Sequence, residues 1–174
     1  EARSAMETTK QTAEGKIREL LQEAFSGARV FQGGGNEILG TDLQEMTLEA
    51  ATNALQRLYP QFHIADHAGW ENVLKKAQKG APDALKSVGD DGEPAKNPVC
   101  KAILAFIAGG KKGIDIRKHF EGAPYGWPGD AVDGGLQVLL VAGLIRAQDE
   151  KGQTIDPKDL ERKAIGKTTF KVES

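Results

Sequence analysis

With a single cysteine, Cys100, the chain of 174 residues has no second thiol for an internal disulfide, which fits a reducing compartment and an expected cytoplasmic location. No apolar stretch approaches the roughly 20 residues that a bilayer span needs, so no membrane partner is expected. The opening residues Glu1-Ala2-Arg3-Ser4-Ala5 hold neither an initiator Met nor the apolar core of a signal sequence. They are expected to mark an internal boundary of a longer protein. Charge of one sign is also scarce. The chain carries 23 Lys and Arg against 25 Asp and Glu, a net charge of −2, and so has no general pull toward nucleic acid or anionic membrane. Residues 1–96 hold 11 basic against 15 acidic side chains and residues 97–174 hold 12 against 10, too mild a split to make either half a polyanion binder.

The patterns that carry chemistry are missing in the same way. A phosphate-cradling loop needs G-x-x-x-x-G-K-[ST]. The nearest segment, Gly109-Gly110-Lys111-Lys112, has Ala105 at the leading glycine position and Lys112 where the magnesium-binding hydroxyl belongs. His63 and His67 stand four apart with Asp66 between them, a spacing that suits two metal ligands on one helix face. No third ligand or general base lies near, and His119 stands alone. General acid–base work needs a carboxyl raised by burial. The pairs Asp90/Asp91, Asp130/Asp133 and Asp149/Glu150 all fall in expected turns or at a helix start, where water and backbone amides keep them ionised. The chain is expected to be no enzyme, with no cofactor, metal or small-molecule substrate of its own.

What the sequence does hold is helical periodicity. Hydrophobic residues make up 39 % and charged residues 28 %, the balance of a folded globular chain. Ala13, Ile17, Leu20, Leu21, Ala24 and Phe25 recur at three- and four-residue steps, a helix stopped by Gly27. Two β-prone runs around Gly33-Gly34-Gly35-Asn36 predict a hairpin near 28–39. A second stripe, Leu43, Met46, Leu48, Ala51, Leu55 and Leu58, follows Thr41 and Asp42 as candidate caps and ends at Pro60. Trp70, Val73, Leu74 and Ala77 mark a third helix, and 82–88 a short one. The polar Gly/Pro-rich stretch around 89–98 is the expected boundary, giving a helical subdomain over 1–90, a linker at 91–96 and a second domain over 97–174.

Beyond that boundary the pattern changes. Asn97 caps and Pro98 opens an apolar helix over 99–108. Ile114, Ile116 and Phe120 form a short segment ending at Gly122. Asp130 opens a third helix whose inward face is Ala131, Val132, Leu136, Leu139 and Leu140. A hairpin follows across 144–155, then an expected last helix capped by Asp156, then a strand near 168–172. The whole is mainly α, and three helices followed by a hairpin is the order of a winged helix-turn-helix. A DNA-reading version offers Arg, Lys, Asn or Gln from its third helix. This one offers Asp130 and Asp133, with Gln137 as its one base-reading candidate. That points to docking onto protein, with Tyr125 and Trp127 in the proline-flanked elbow and Asp130 and Asp133 behind them as the expected surface. The alternative is a phosphate-contact strip on duplex DNA from Lys111, Lys112, Arg117 and Lys118 and from Arg146 and Lys151 at the wing.

The segment Pro124-Tyr125-Gly126-Trp127-Pro128, running on through Asp130, Ala131, Val132 and Asp133, resembles the C-terminal region of the BREX phage-defence P-loop ATPases (BrxC/PglY-like). Pro98-Val99-Cys100 with its apolar run, Lys111 through Phe120, Ala28-Arg29-Val30-Phe31-Gln32 and Leu58-Tyr59-Pro60-Gln61-Phe62 are similar to the same family, so the likeness covers most of the chain. The resemblance implies a large cytoplasmic ATPase whose ATP and Mg²⁺ bind far upstream of these residues. Its relatives work with a methyltransferase and other subunits to block phage DNA replication and support host methylation. It implies other BREX subunits, or the rest of the parent ATPase, as partners. It carries over no catalytic residue. A winged helix behind an ATPase core also resembles initiator-type AAA+ proteins, in which that domain touches DNA or a neighbouring subunit.

Overall fold

The structure, a computed structural model, describes residues 2–173. It divides into two units, Glu1–Leu58 and Tyr59–Ser174.

The first unit contains two helices and a hairpin. Helix α1 spans Ala2–Ser26 and closes with the Gly27 amide on the Glu23 carbonyl, 3.2 Å away. Strands β1 (Val30–Phe31) and β2 (Glu37–Ile38) pair antiparallel through the Gly-rich turn, in which Gly34 and Gly35 take positive φ. Arg29 clamps Glu37 with two hydrogen bonds of 2.6 and 2.5 Å, fixing the hairpin's register. Helix α2 spans Leu43–Leu58 and is capped by Asp42, whose Oδ1 accepts the Glu45 amide at 2.9 Å. The hairpin packs on the α2 face that carries Met46, and Arg57 reaches back to Gln32 at 2.8 Å. Ile38 and Met46 are the buried large hydrophobics of this unit. The stripe expected along α2 is therefore two faces. Leu48, Ala51, Leu55 and Leu58 follow a three–four repeat on the side of the helix away from Met46, and all are exposed.

The second unit is dense. A 3-10 turn at Phe62–Ile64 leads to α3 (Trp70–Gln78), and further turns at Ala84–Val88 and Pro94–Lys96 lead to α4 (Pro98–Ile107). Asn97 caps α4 from Oδ1 to the amides of Val99 (3.0 Å) and Cys100 (3.2 Å), while its Nδ2 donates to Asp90 at 2.7 Å. The two-residue strand β3 (Lys111–Lys112) runs straight into α5 (Gly113–Glu121), where a Cβ on Gly113 would collide with the Ile165 carbonyl. Helix α6 spans Gly129–Val141, followed by β4 (Ile145–Gln148), β5 (Thr154–Ile155) and β6 (Thr169–Val172). The sheet order is β3-β6-β4-β5, antiparallel at each pairing. Ile145, Ala147 and Phe170 point into the core formed with α3, α4, α5 and α6.

Two expectations change here. The last helix after Asp156 is instead a turn followed by a 3-10 segment at Arg162–Lys167. Asp156 Oδ1 accepts the Lys158 amide and its carbonyl accepts the Asp159 amide, both at 2.9 Å, so the expected cap closes one turn that does not continue into a helix. The expected linker at 91–96 lies inside the second unit, its turn at Pro94–Lys96 packed on α4.

The enclosed third helix and the exposed surfaces

The sequence of α6 explains its position. Gly134 and Gly135 sit where neighbours approach most closely. A Cβ on Gly134 would meet Trp70 Cε3 of α3 at 3.4 Å, and one on Gly135 would meet Ile103 Cδ1 of α4 at 2.7 Å. The pair lets α3 and α4 close on the helix from different sides. Every residue from 131 to 140 is buried, so α6 has no open face. Gln137, the expected base reader, is fully buried and donates from Nε2 to the Pro157 carbonyl.

The expected docking residues fare the same way. Trp127 is 2 % exposed, stacked on Phe120 at 4.7 Å, with Nε1 donating to the Gln61 carbonyl at 2.9 Å. Tyr125 is half-buried with its ring edge-on to Phe120 and Trp127. Asp133 is buried and accepts from Arg117 at 2.8 and 3.0 Å and from Arg162 at 2.9 Å. Arg162 also holds Asp130 at 2.5 Å. Burial opposes the Arg162 charge, but hydrogen bonds to Asp130 and Asp133 outweigh it, leaving the guanidinium above its ordinary pKa. Trp127 and Asp133 are thus internal ties, and Tyr125 and Asp130 lie at their margins. Arg162, which the turn after Asp156 brings back across 29 residues, takes these acids out of the solvent expected at a helix start.

The same clamp removes Arg117 from the basic strip. Lys111, Lys112, Lys118, Arg146 and Lys151 are exposed. Lys111 lies over the Phe106 ring, 5.4 Å from its centre, and His119 stacks on that ring at 3.9 Å. Burial holds the His119 pKa below the ordinary histidine value. Lys118 is on α5, apart from the sheet. Arg146 contacts Glu173 at 3.6 Å, and Lys151 sits in the β4–β5 turn, organised by Asp149 accepting the amides of Lys151 and Gln153. His63 and His67 each meet backbone, at the Pro60 carbonyl and the Gly69 amide. Among the described residues no group of three His, Cys, Asp or Glu side chains is placed to hold a metal, and no helix is long and apolar enough to cross a membrane.

The open apolar surface is elsewhere. Ile17, Leu20, Leu21 and Phe25 on α1 and Leu48, Leu55 and Leu58 on α2 are each more than half exposed. In the second unit the exposed large hydrophobics are Phe62, Ile114 and Val172, all nearer the margin at 38–42 %.

Fold and surface together define a mainly helical chain with a small hairpin in one unit and a four-stranded antiparallel sheet in the other. No protein-family model, curated protein or solved structure matches it.

Proposed function

We propose that this chain is a non-catalytic docking module of a larger BREX-type anti-phage ATPase in the cytoplasm, engaging another subunit or another part of its parent through the open faces of α1 and α2. The observation that carries the reading is the uncovered apolar surface. Seven large aliphatic and aromatic side chains on two helices stand in solvent, far more than scattered surface hydrophobics account for. Helices with this little burial gain their stability from what they pack against. The resemblance to the BREX ATPases supports that choice of parent, which on this reading would hold ATP and Mg²⁺ upstream of these residues.

The second unit reads best as a winged helix-turn-helix. The order α4-β3-α5-α6-β4-β5-β6, with β6 between β3 and β4, supports this reading. In that reading α6 corresponds to the recognition helix, and α3 packs along it. That packing favours a scaffold over a reader of base edges.

The test is a pull-down of the parent assembly with Leu48→Asp and Leu55→Asp introduced together. Assembly is lost while the unfolding midpoint of the second unit stays unchanged. Intact assembly in the double variant sinks the proposal.

A further inference from the structure

The outer face of the four-stranded sheet, opposite the core, gathers cations that the chain as a whole does not have in excess. Register fixes which side chains share that face. Phe170 and Ala147 are partners and both point into the core, so their neighbours Lys171 and Arg146, also partners, both point outward. Lys112 is the partner of Thr169, one step from Phe170, and so stands on the same outer face, at the next strand. Lys112, Lys171 and Arg146 therefore cross β3, β6 and β4 in a short diagonal, with Thr169, Gln148 and Thr154 between and beside them. The stem of Lys171 reaches toward the start of β3, where its Cγ would lie 3.4 Å from a Cβ on Gly110. Among the described residues Glu173, against Arg146 at 3.6 Å, is the carboxylate that pairs with this group. Lys112 and Lys171 have no ion-pair partner among the described residues.

Like charges directly opposite on neighbouring strands are unfavourable, and Lys171 faces Arg146 in that way. Glu173 offsets that repulsion only at Arg146, and an anion laid across the face relieves the rest. Successive phosphates of a nucleic-acid backbone supply spaced single negative charges. The hydroxyl of Thr169 adds a neutral donor of the kind that commonly accompanies phosphate contacts. We infer that this outer sheet face is a phosphate-contact surface for a nucleic-acid backbone, independent of base sequence and of the α1 and α2 docking faces. It needs nothing from α6, which has no open face to offer a groove.

The experiment is fluorescence anisotropy of a labelled DNA duplex with the whole chain as salt is raised from about 20 to about 150 mM. Three neutralised phosphates give a log–log slope of about −2.7 and a loss of affinity of roughly two-hundredfold over that range. Lys112→Glu with Lys171→Glu abolishes binding, and Lys112→Gln with Lys171→Gln weakens it at least tenfold. Lys118→Glu, a charge change of the same sign on α5, leaves it within twofold. Lys171→Glu alone also raises thermal stability, because it turns the repulsive pair with Arg146 into an ion pair. That readout shows the variant is folded. No binding at low salt, equal binding by the double variants, or an equal loss from Lys118→Glu overturns the inference. None of these outcomes bears on assembly through α1 and α2.

Discussion

The two units of this chain solve the problem of apolar surface in opposite ways. In the second, α3, α4 and the sheet close around α6 until ten consecutive residues of that helix are buried. In the first, a 25-residue helix is exposed along its described length, and α2 seats a hairpin on one face while leaving the other open. Both sequences show helical periodicity. Periodicity reports that a face is apolar, and it does not report whether the chain itself supplies the cover.

The difference is sharpest in substitution energetics. Trp127→Ala removes a buried ring stacked on Phe120 together with its hydrogen bond to Gln61, and costs about 4 kcal/mol of the second unit's stability by urea unfolding. Asp133→Asn leaves Arg117 and Arg162 facing an uncharged amide. It costs about 3 kcal/mol, whereas Asp130→Asn, at a half-exposed pair, costs under about 1 kcal/mol. By contrast Leu55→Gln changes the unfolding free energy by less than about 0.5 kcal/mol, since the side chain is already in water. A cost for Leu55→Gln near that of Trp127→Ala would break the comparison.

Cys100 sharpens it through reactivity. Burial, with Asp90 adding to it, pushes the thiol up to about 12. Alkylation at neutral pH then proceeds only through unfolding of the second unit, and labelling of the native chain at the rate of a free thiol contradicts the closed core.

The smallest effect is at His119. Its folded pKa lies below the ordinary value of about 6.5, so the unfolded chain takes up the proton more readily. The stability this adds is present above that value and is lost as pH falls through the folded pKa. His119→Gln flattens the acid side of the second unit's pH–stability profile slightly, beside a small pH-independent loss from the missing stack on Phe106.

Much of the local structure was legible in the residues. Asn97-Pro98 marks the start of α4, the Gly33-Gly34-Gly35-Asn36 turn marks the hairpin, and the strands after Gly143 fall where their β-prone runs lie. The long-range partners were not legible. Nothing local to Asp133 signals Arg162, and nothing local to Trp127 signals the Gln61 carbonyl 66 residues earlier. An acid at a helix start and an aromatic in an elbow read as surface until their partners are placed. The paired glycines 134 and 135 were the available hint, because two residues without side chains inside a helix allow close approach from outside. Lys171 escaped notice for a related reason, since only strand register puts it beside Arg146.

The burial of α6 under α3 also bears on how such a protein can change over time. Residues 97–174 look like a portable cassette, with their own cap, helices and sheet. Yet Trp70 and Val73, contributed by the preceding segment, sit against Gly134 of α6. A gene fusion that carried the cassette without residues 59–96 would carry an open wound along its central helix. The inheritable unit is the longer piece, and its frontier lies near Tyr59, well upstream of where glycine and proline suggest a seam.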